Sequence, residues 1–392
     1  MRTTSIAGFA FLFVWSLATP LLAQGGWKRW TIDNTSRGAD GIRVADFNGD
    51  GRPDLVTGWE EGGQVAFYVH PGPKAVKHLW PKTVVGKVKS PEDAVFIDIN
   101  SDGQLEVLSC CEGKNRSVYV HQRDSKMGEW STSAVPSLQN KAMWMFAVPM
   151  DMNGDGKIDI VAGAKGTGAE LGWLDGTNWE QSKWQTLSPV GWVMSIESVD
   201  MNADGRLDIL FSDRKGNHRG IHWLEHPEKA TENWIRHTVG GTNLEVMFLS
   251  LGDINHDGKT DIACAVKGAG IQWFERIDDD GLRWRQHEIS MPENTGSGKG
   301  VAIGDIDGDG LNDIVFTCEH SEQKHGAGWL KAINGVDSAS WELHPISGSK
   351  EGIKFDLIQL IDLDTDGDLD VVTCEERDNL GVIWYENPGN GW

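Results

Sequence analysis

The sequence predicts an all-β protein: a seven-bladed β-propeller of four-stranded antiparallel blades, with the N-terminal strand closing the seventh blade. Three observations predict it. An acidic nonapeptide recurs seven times along 392 residues. Each copy is flanked by short apolar runs with the two-residue alternation of strands. One strand pattern stands near the N-terminus with no repeat before it, and the last repeat stops where its own copy of that pattern is due.

The nonapeptide reads Asp-x-Asn/Asp-x-Asp-Gly-x-x-Asp/Glu, and its copies start 49 to 57 residues apart. Its acidic and amide positions are Asp46, Asn48, Asp50 and Asp54 in blade 1, and Asp98, Asn100, Asp102 and Glu106 in blade 2. Blade 3 has Asp151, Asn153, Asp155 and Asp159; blade 4 has Asp200, Asn202, Asp204 and Asp208. Blade 5 has Asp253, Asn255, Asp257 and Asp261; blade 6 has Asp305, Asp307, Asp309 and Asp313; blade 7 has Asp362, Asp364, Asp366 and Asp370.

A strand precedes each loop, as in Val95-Phe96-Ile97, and a second follows, as in Ile314-Val315-Phe316. A third reads like Gly220-Ile221-His222-Trp223-Leu224-Glu225, and a fourth like Trp284 to Ile289, in the pattern Trp-x-x-His-x-Ile/Val. Many of the 19 Trp residues therefore fall on the two outer strands, where packing between blades explains them better than a sugar platform does. Trp27 to Ile32 is a fourth-type strand, and it is expected to complete the blade that ends near Trp392.

Residues 1–23 have the shape of a secretory signal peptide: Arg2, then a mostly apolar run ending at Leu21-Leu22-Ala23, with an uncleaved anchor as the alternative. Residues 24–392 form the propeller. No other run is long and apolar enough to span a bilayer. The expected location is secreted, periplasmic or extracellular. A net charge of −22 argues against nucleic-acid binding. The five cysteines, Cys110, Cys111, Cys264, Cys318 and Cys374, align near the ends of second strands, where other blades carry Gly58, Gly163 and Ser212; small size accounts for them, and a Cys318–Cys374 bridge is not favoured.

Acids at alternate positions of a tight loop suit a hard cation that needs six to eight oxygens, and Gly at the sixth position permits the turn. Calcium is the expected ion, in up to seven structural sites, because an all-oxygen set disfavours zinc. These loops and flanks resemble the FG-GAP/VCBS repeats of integrin-type propellers and bacterial secreted proteins. The resemblance implies loops that bind calcium and hold hairpins together.

If the loop tips one end of a hairpin, residues equally far on either side of it meet at the other end. Six residues past the loop stand Glu60, Glu112, Lys165, Arg214, Lys267, Glu319 and Glu376; six before it stand Asp40, Glu92, Met145, Met194, Met247, Lys299 and Asp356. Near the axis this predicts one acidic half and one basic half beside a Met shelf, or a solvated rim whose opposite charges pair. Trp59, Trp144, Trp192, His218, His320 and Arg377 lie nearby in sequence.

Two functions follow. Thr373 to Arg377, Gly381 to Pro388 and Ser212 to Gly220 resemble the propeller of aldos-2-ulose dehydratase. That resemblance implies water elimination from a keto sugar at a metal-containing cleft, although the cupin domains of that family are absent. His218, His320 or an acid with a raised pKa would be the base, Lys165, Arg214 and Lys267 would stabilise the enolate, and His320 with nearby Glu residues would hold a further divalent metal on the axis. The alternative is a non-catalytic, integrin-like adhesion propeller that binds a protein or glycan on the same face.

Overall fold

The computed structural model describes residues 26–124, 128–333 and 341–389. The expected leader lies outside the described residues. Twenty-eight strands form seven four-stranded antiparallel sheets among the described residues, as the repeats predict.

Blade 1 is β2 (Ala39–Ala45), β3 (Asp54–Trp59), β4 (Gln64–Tyr68) and β5 (Lys82–Gly86); blade 2 is β6 (Pro91–Ile97), β7 (Glu106–Cys111), β8 (Val118–Arg123) and β9 (Trp130–Ala134). Blade 3 runs from β10 (Met143–Met150) and β11 (Asp159–Lys165) to β12 (Glu170–Leu174) and β13 (Gln185–Pro189). Blade 4 is β14 (Val193–Val199), β15 (Asp208–Asp213), β16 (Gly220–Glu225) and β17 (Ile235–Gly240). Blade 5 is β18 (Val246–Gly252), β19 (Asp261–Val266), β20 (Ile271–Arg276) and β21 (Trp284–Ile289). Blade 6 is β22 (Ser297–Gly304), β23 (Asp313–Glu319), β24 (Ala327–Ala332) and β25 (Trp341–Pro345). Blade 7 takes β26 (Phe355–Ile361), β27 (Asp370–Glu375) and β28 (Gly381–Glu386) from the end of the chain, and β1 (Lys28–Asp33) from its start.

The outer pair of strands explains the Trp and His patterns. Trp223, Trp273 and Trp329 on third strands are buried and stack on His237, His287 and His344 of the fourth strands, with ring centroids 4.2, 4.0 and 4.5 Å apart. The His Nε2 then meets a third-strand carboxylate in two blades, Glu225 at 2.7 Å and Glu275 at 2.9 Å. In blade 7 the register puts Trp30 of β1 opposite Trp384, where those histidines sit. Its indole Nε1 donates to Glu386 at 2.7 Å. The first-made strand thus reproduces the contact of a fourth strand.

Aromatic rings fill the gaps between sheets. Between blades 1 and 2, Phe47, Phe67, Phe96 and Trp130 form a cluster with centroid distances of 4.3 to 6.3 Å. Burying this apolar area is the main force joining blades whose sheets are separate. All five thiols are buried and unpaired. Met145, Met194 and Met247 are buried in the core as well, so the expected Met shelf faces protein and not a ligand. No helix among the described residues is long and apolar enough to cross a membrane.

Candidate functional site

The seven loops share one backbone. The Gly at the sixth position has φ between +80° and +102° in every copy, from Gly51 and Gly103 to Gly367, and the fourth position is also left-handed. Left-handed turns at both points curl the chain so that its N–H groups point inward. The first Asp accepts the N–H of that Gly at 2.8 to 3.1 Å in all seven loops.

The ninth residue works differently from the first. Asp54, Asp159, Asp208, Asp261, Asp313 and Asp370 are almost wholly buried. One oxygen of each accepts the N–H of the second loop residue at 2.8 to 3.0 Å. The other accepts an N–H at or just past the end of the third strand at 2.7 to 2.9 Å. This carboxylate therefore ties the loop to its own blade. Glu106 reaches further: one oxygen takes Ile99 N–H at 3.1 Å and the other takes the Asn100 side chain at 2.8 Å.

Burial pushes these ninth-position carboxyls up, Asp208 and Asp261 to about 6 and Asp313 to about 7, although backbone N–H groups pull the other way. A bound cation would offset that cost. In blade 6, Asp305, Asp307 and Asp313 bring oxygens within 4.8 Å of one another, as Asp362, Asp364 and Asp366 do in blade 7. Asp364 Oδ1 and Asp368 Oδ1 are buried without a hydrogen-bond partner. The donor set fits a hard cation such as calcium.

A second device joins neighbouring blades beneath the loops. His70 Nε2 meets Leu363 O at 2.9 Å, and His226 Nε2 meets Met152 O at 2.8 Å. Asn387 donates to Ile306 O at 2.9 Å, and Arg276 donates to Met201 O. Each acceptor is the second residue of the preceding blade's loop. Sequence reasoning missed these side chains; the signal was a polar residue at a fixed offset after the third-strand Trp or its equivalent.

The opposite strand ends form the charged face. Pairing runs from Ala45–Asp54 beside the loop of blade 1 to Ala39–Trp59 at the far end. There the Glu60 N–H donates to Gly38 O, Glu112 to Ser90 O, Arg214 to Trp192 O, Lys267 to Glu245 O and Glu376 to Lys354 O, all at 2.6 to 3.0 Å. One repeated backbone bond thus sets five members of the predicted ring.

The charges on this ring interleave as ion pairs. Lys165 bridges Glu112 and Glu92 of blade 2, and Lys267 meets Glu319 of blade 6 at 2.6 Å. Arg214 meets Glu245 at 3.0 Å, while Lys299 pairs with Asp356 and Lys354 with Glu376. Burial pushes Glu319 up, but Lys267 and Lys299 hold it below the ordinary carboxylate range. Of the predicted ligand-binding aromatics, Trp59 is wholly buried and donates to Tyr68 Oη at 3.0 Å, whereas Trp192 is half-buried. Lys165 and Arg214 lie 4.5 Å from the Trp192 ring centroid, and Lys215 lies 4.8 Å from it.

The two candidate bases are solvent-exposed, and one of them borders the Lys267–Glu319 pair. His320 is exposed, with Nε2 3.6 Å from Glu319, and His218 is exposed on the loop before β16. Arg377 is exposed, and its N–H donates to Glu375 at 3.0 Å. Deeper on the axis, Arg43 pairs with Asp93 at 3.0 Å in a cavity of about 260 Å³ that Glu197, Ser195 and Gln359 also line.

Comparison with known proteins agrees with this architecture. The FG-GAP-like repeat matches residues 46–109, 98–162, 151–211 and 222–316. Integrin alpha-PS3 of Drosophila melanogaster is 28% identical over a stretch covering 33% of this chain and 13% of that protein. The chain therefore spans a small part of that relative's length. Among solved structures, BBS1N in complex with ARL6DN, soaked with mercury, superposes with a TM-score of 0.57 at 9% identity, over 93% of this chain and 98% of that one. Sqt1 of Saccharomyces cerevisiae gives 0.52 at 12% identity, over 86% and 81%. At such identities the likeness concerns the fold alone. The repeat matches run from the first acidic loop to the second strand of blade 6 and cover more than half of the sequence, so the chain belongs to the FG-GAP-like repeat family.

Proposed function

We propose that the chain is an extracellular, calcium-loaded interaction propeller that binds a protein partner on its charged axial face without turnover. One observation carries this reading: each cation that sugar elimination would need is neutralised. Lys165, Arg214 and Lys267 all have carboxylate partners. An enolate would have to displace those partners before it gained a donor. A rigid mosaic of alternating charge suits complementarity to a protein surface, which sets specificity and encounter rate. The likeness to an integrin alpha chain supports an extracellular interaction role.

The loops would hold calcium through their first, third and fifth residues, with the ninth carboxylate closing the site. The ion would supply the positive charge that the buried carboxylates lack.

A sugar-directed reading, with lyase chemistry on a keto sugar, keeps one observation in its favour. Burial pushes Glu92 up to about 8 on this face, which is the range of a working general acid–base group. The two readings part in one experiment. Wild type is incubated with 1,5-anhydrofructose and a panel of keto sugars, and is also screened against an array of extracellular proteins at 0.15 M salt. The expected result is no sugar consumption and a protein binder that is lost when Lys165, Arg214 and Lys267 are changed to Gln. Sugar turnover that disappears in a Lys165→Ala, Arg214→Ala, His320→Ala variant would overturn the interaction reading.

A further inference from the structure

One layer of the innermost strands is polar on only part of the ring. Arg43, Glu197, Ser250 and Gln359 each stand three residues before the first loop acid, in blades 1, 4, 5 and 7. The same position is Val95, Val148 and Ala302 in blades 2, 3 and 6. Strand register agrees: Arg43 pairs with Val56, Glu197 with Leu210, Ser250 with Ala263 and Gln359 with Val372, each two residues past the ninth loop acid. A layer that served packing alone would stay apolar all round. These four polar residues and Ser195 line the axial cavity of about 260 Å³, and Leu249, Leu251, Val301, Leu357 and Ile358 complete its wall.

Two opposite charges border this space without meeting. Asp93 is almost wholly buried; one oxygen accepts Arg43 Nε at 3.0 Å and the other accepts the Ala147 N–H at 3.3 Å. The guanidinium is thereby fixed, and among the described residues its two terminal nitrogens have no acceptor. Glu197 stands three blades away around the ring, close enough for the charge of Arg43 to act on it. Its carboxyl has neither an ion pair nor a hydrogen bond among the described residues, and burial pushes it up against the pull of Arg43. Ser195 Oγ accepts the Leu249 N–H at 3.2 Å and keeps its own O–H to give. Gln359 donates its amide to Ile42 O at 3.2 Å and keeps its side-chain oxygen. Unmatched donors and acceptors in a half-enclosed space are costly until something pairs with them.

We infer that the axial cavity binds a free amino acid with an aliphatic side chain, its carboxylate on Arg43 and its ammonium on Glu197. Electrostatics selects a zwitterion. Asp93 already balances Arg43, so a simple anion would meet the Glu197 carboxylate with no charge to offset it, and a simple cation would meet the guanidinium. A molecule that carries both ends pairs each group and adds no net charge. Leucine, isoleucine and valine side chains in the wall suit an aliphatic group on the ligand. The site is separate from the ring of ion pairs, so it stands whether or not that face binds a protein.

Calorimetry of the full chain with L-leucine and L-valine tests the site. Isovalerate and isoamylamine serve as the two halves of leucine. Both amino acids should bind, and each half should bind roughly tenfold or more weaker, the loss expected from one hydrogen bond to a charged group. Glu197→Gln should weaken leucine by a similar factor and leave isovalerate unchanged. Lys183→Gln, an exposed residue before β13, should leave leucine unchanged. Crystals soaked in L-selenomethionine should show an anomalous selenium peak in the cavity. A wild-type chain that binds neither amino acid holds only water there, and that result would overturn the inference. So would isovalerate or isoamylamine binding as tightly as leucine, or an unchanged leucine affinity in Glu197→Gln. The wild-type measurements decide the matter even if a variant fails to fold.

Discussion

His121 on β8 is wholly buried, with Ser109 Oγ 2.9 Å from Nε2 and Thr132 Oγ1 2.9 Å from Nδ1. Burial pulls its pKa from 6.5 down to about 4. A lowered imidazole favours the neutral form in the folded chain. Its contribution is therefore complete above pH 6.5 and is lost as the pH falls towards 4, by about 3 kcal/mol in all. His121→Gln should remove this dependence, so the stability gap between wild type and variant should shrink by that amount between pH 7 and 4. Denaturant melts across the range would show it, and a constant gap would exclude it. Nothing in the sequence marked this residue, because its burial depends on β8 and β9 pairing with β7. The loop acids were legible because alternation within nine residues is a local property. The pairing of Lys165 with Glu112 or Lys267 with Glu319 was not, because it depends on how neighbouring blades are rotated.

Blade 6 differs from its neighbours at the level of the hairpin. The residue just before the N–H that reaches the ninth carboxylate is Asp175, Glu225, Glu275 or Glu386 in blades 3, 4, 5 and 7. In blade 6 it is Lys331, whose ammonium pairs with Asp307 and with Asp309, the latter at 2.9 Å. A built-in cation stands where a metal ion would bind, so a calcium ion bound there would have to displace it. A site filled at a hundred times its dissociation constant adds about 2.7 kcal/mol to stability. Chelation should therefore lower the melting temperature of wild type by several degrees. It should lower that of Lys331→Gln further, because calcium then binds blade 6 more tightly. Calorimetry with and without chelator checks both, and equal shifts in the two proteins would rule out the competition. The hairpin and its four strands were legible from alternation and Trp spacing. The competing lysine was not, because it lies 22 residues from Asp309.

At the scale of the whole ring, β1 holds blade 7 to the rest. It pairs with β28 over Lys28 to Asp33 and buries Ile32. The Lys82 ammonium reaches Asp33 at 2.7 Å, and Tyr68 Oη donates to the same carboxylate at 2.8 Å, which ties blade 7 to blade 1. Deleting residues 24–33 should lower the melting temperature by at least roughly 10 °C, since each kcal/mol is worth a few degrees in a chain of this size. An unchanged thermal scan would refute closure by this strand. This architecture was the most legible feature of the sequence, because a ring of identical units leaves one orphaned strand pattern to be placed.

That closure also sets an order in time. Trp30 and the Glu386 that accepts its indole N–H are 356 residues apart. At ordinary rates of synthesis, roughly tens of seconds separate their emergence from the ribosome. Throughout that interval β1 has no sheet to join, while a completed neighbouring chain whose own first strand has not yet docked presents an open edge at β28. Two such molecules can each lend the other a first strand. Crowded polysomes would then yield strand-exchanged pairs, with every blade intact and only the ownership of β1 reversed.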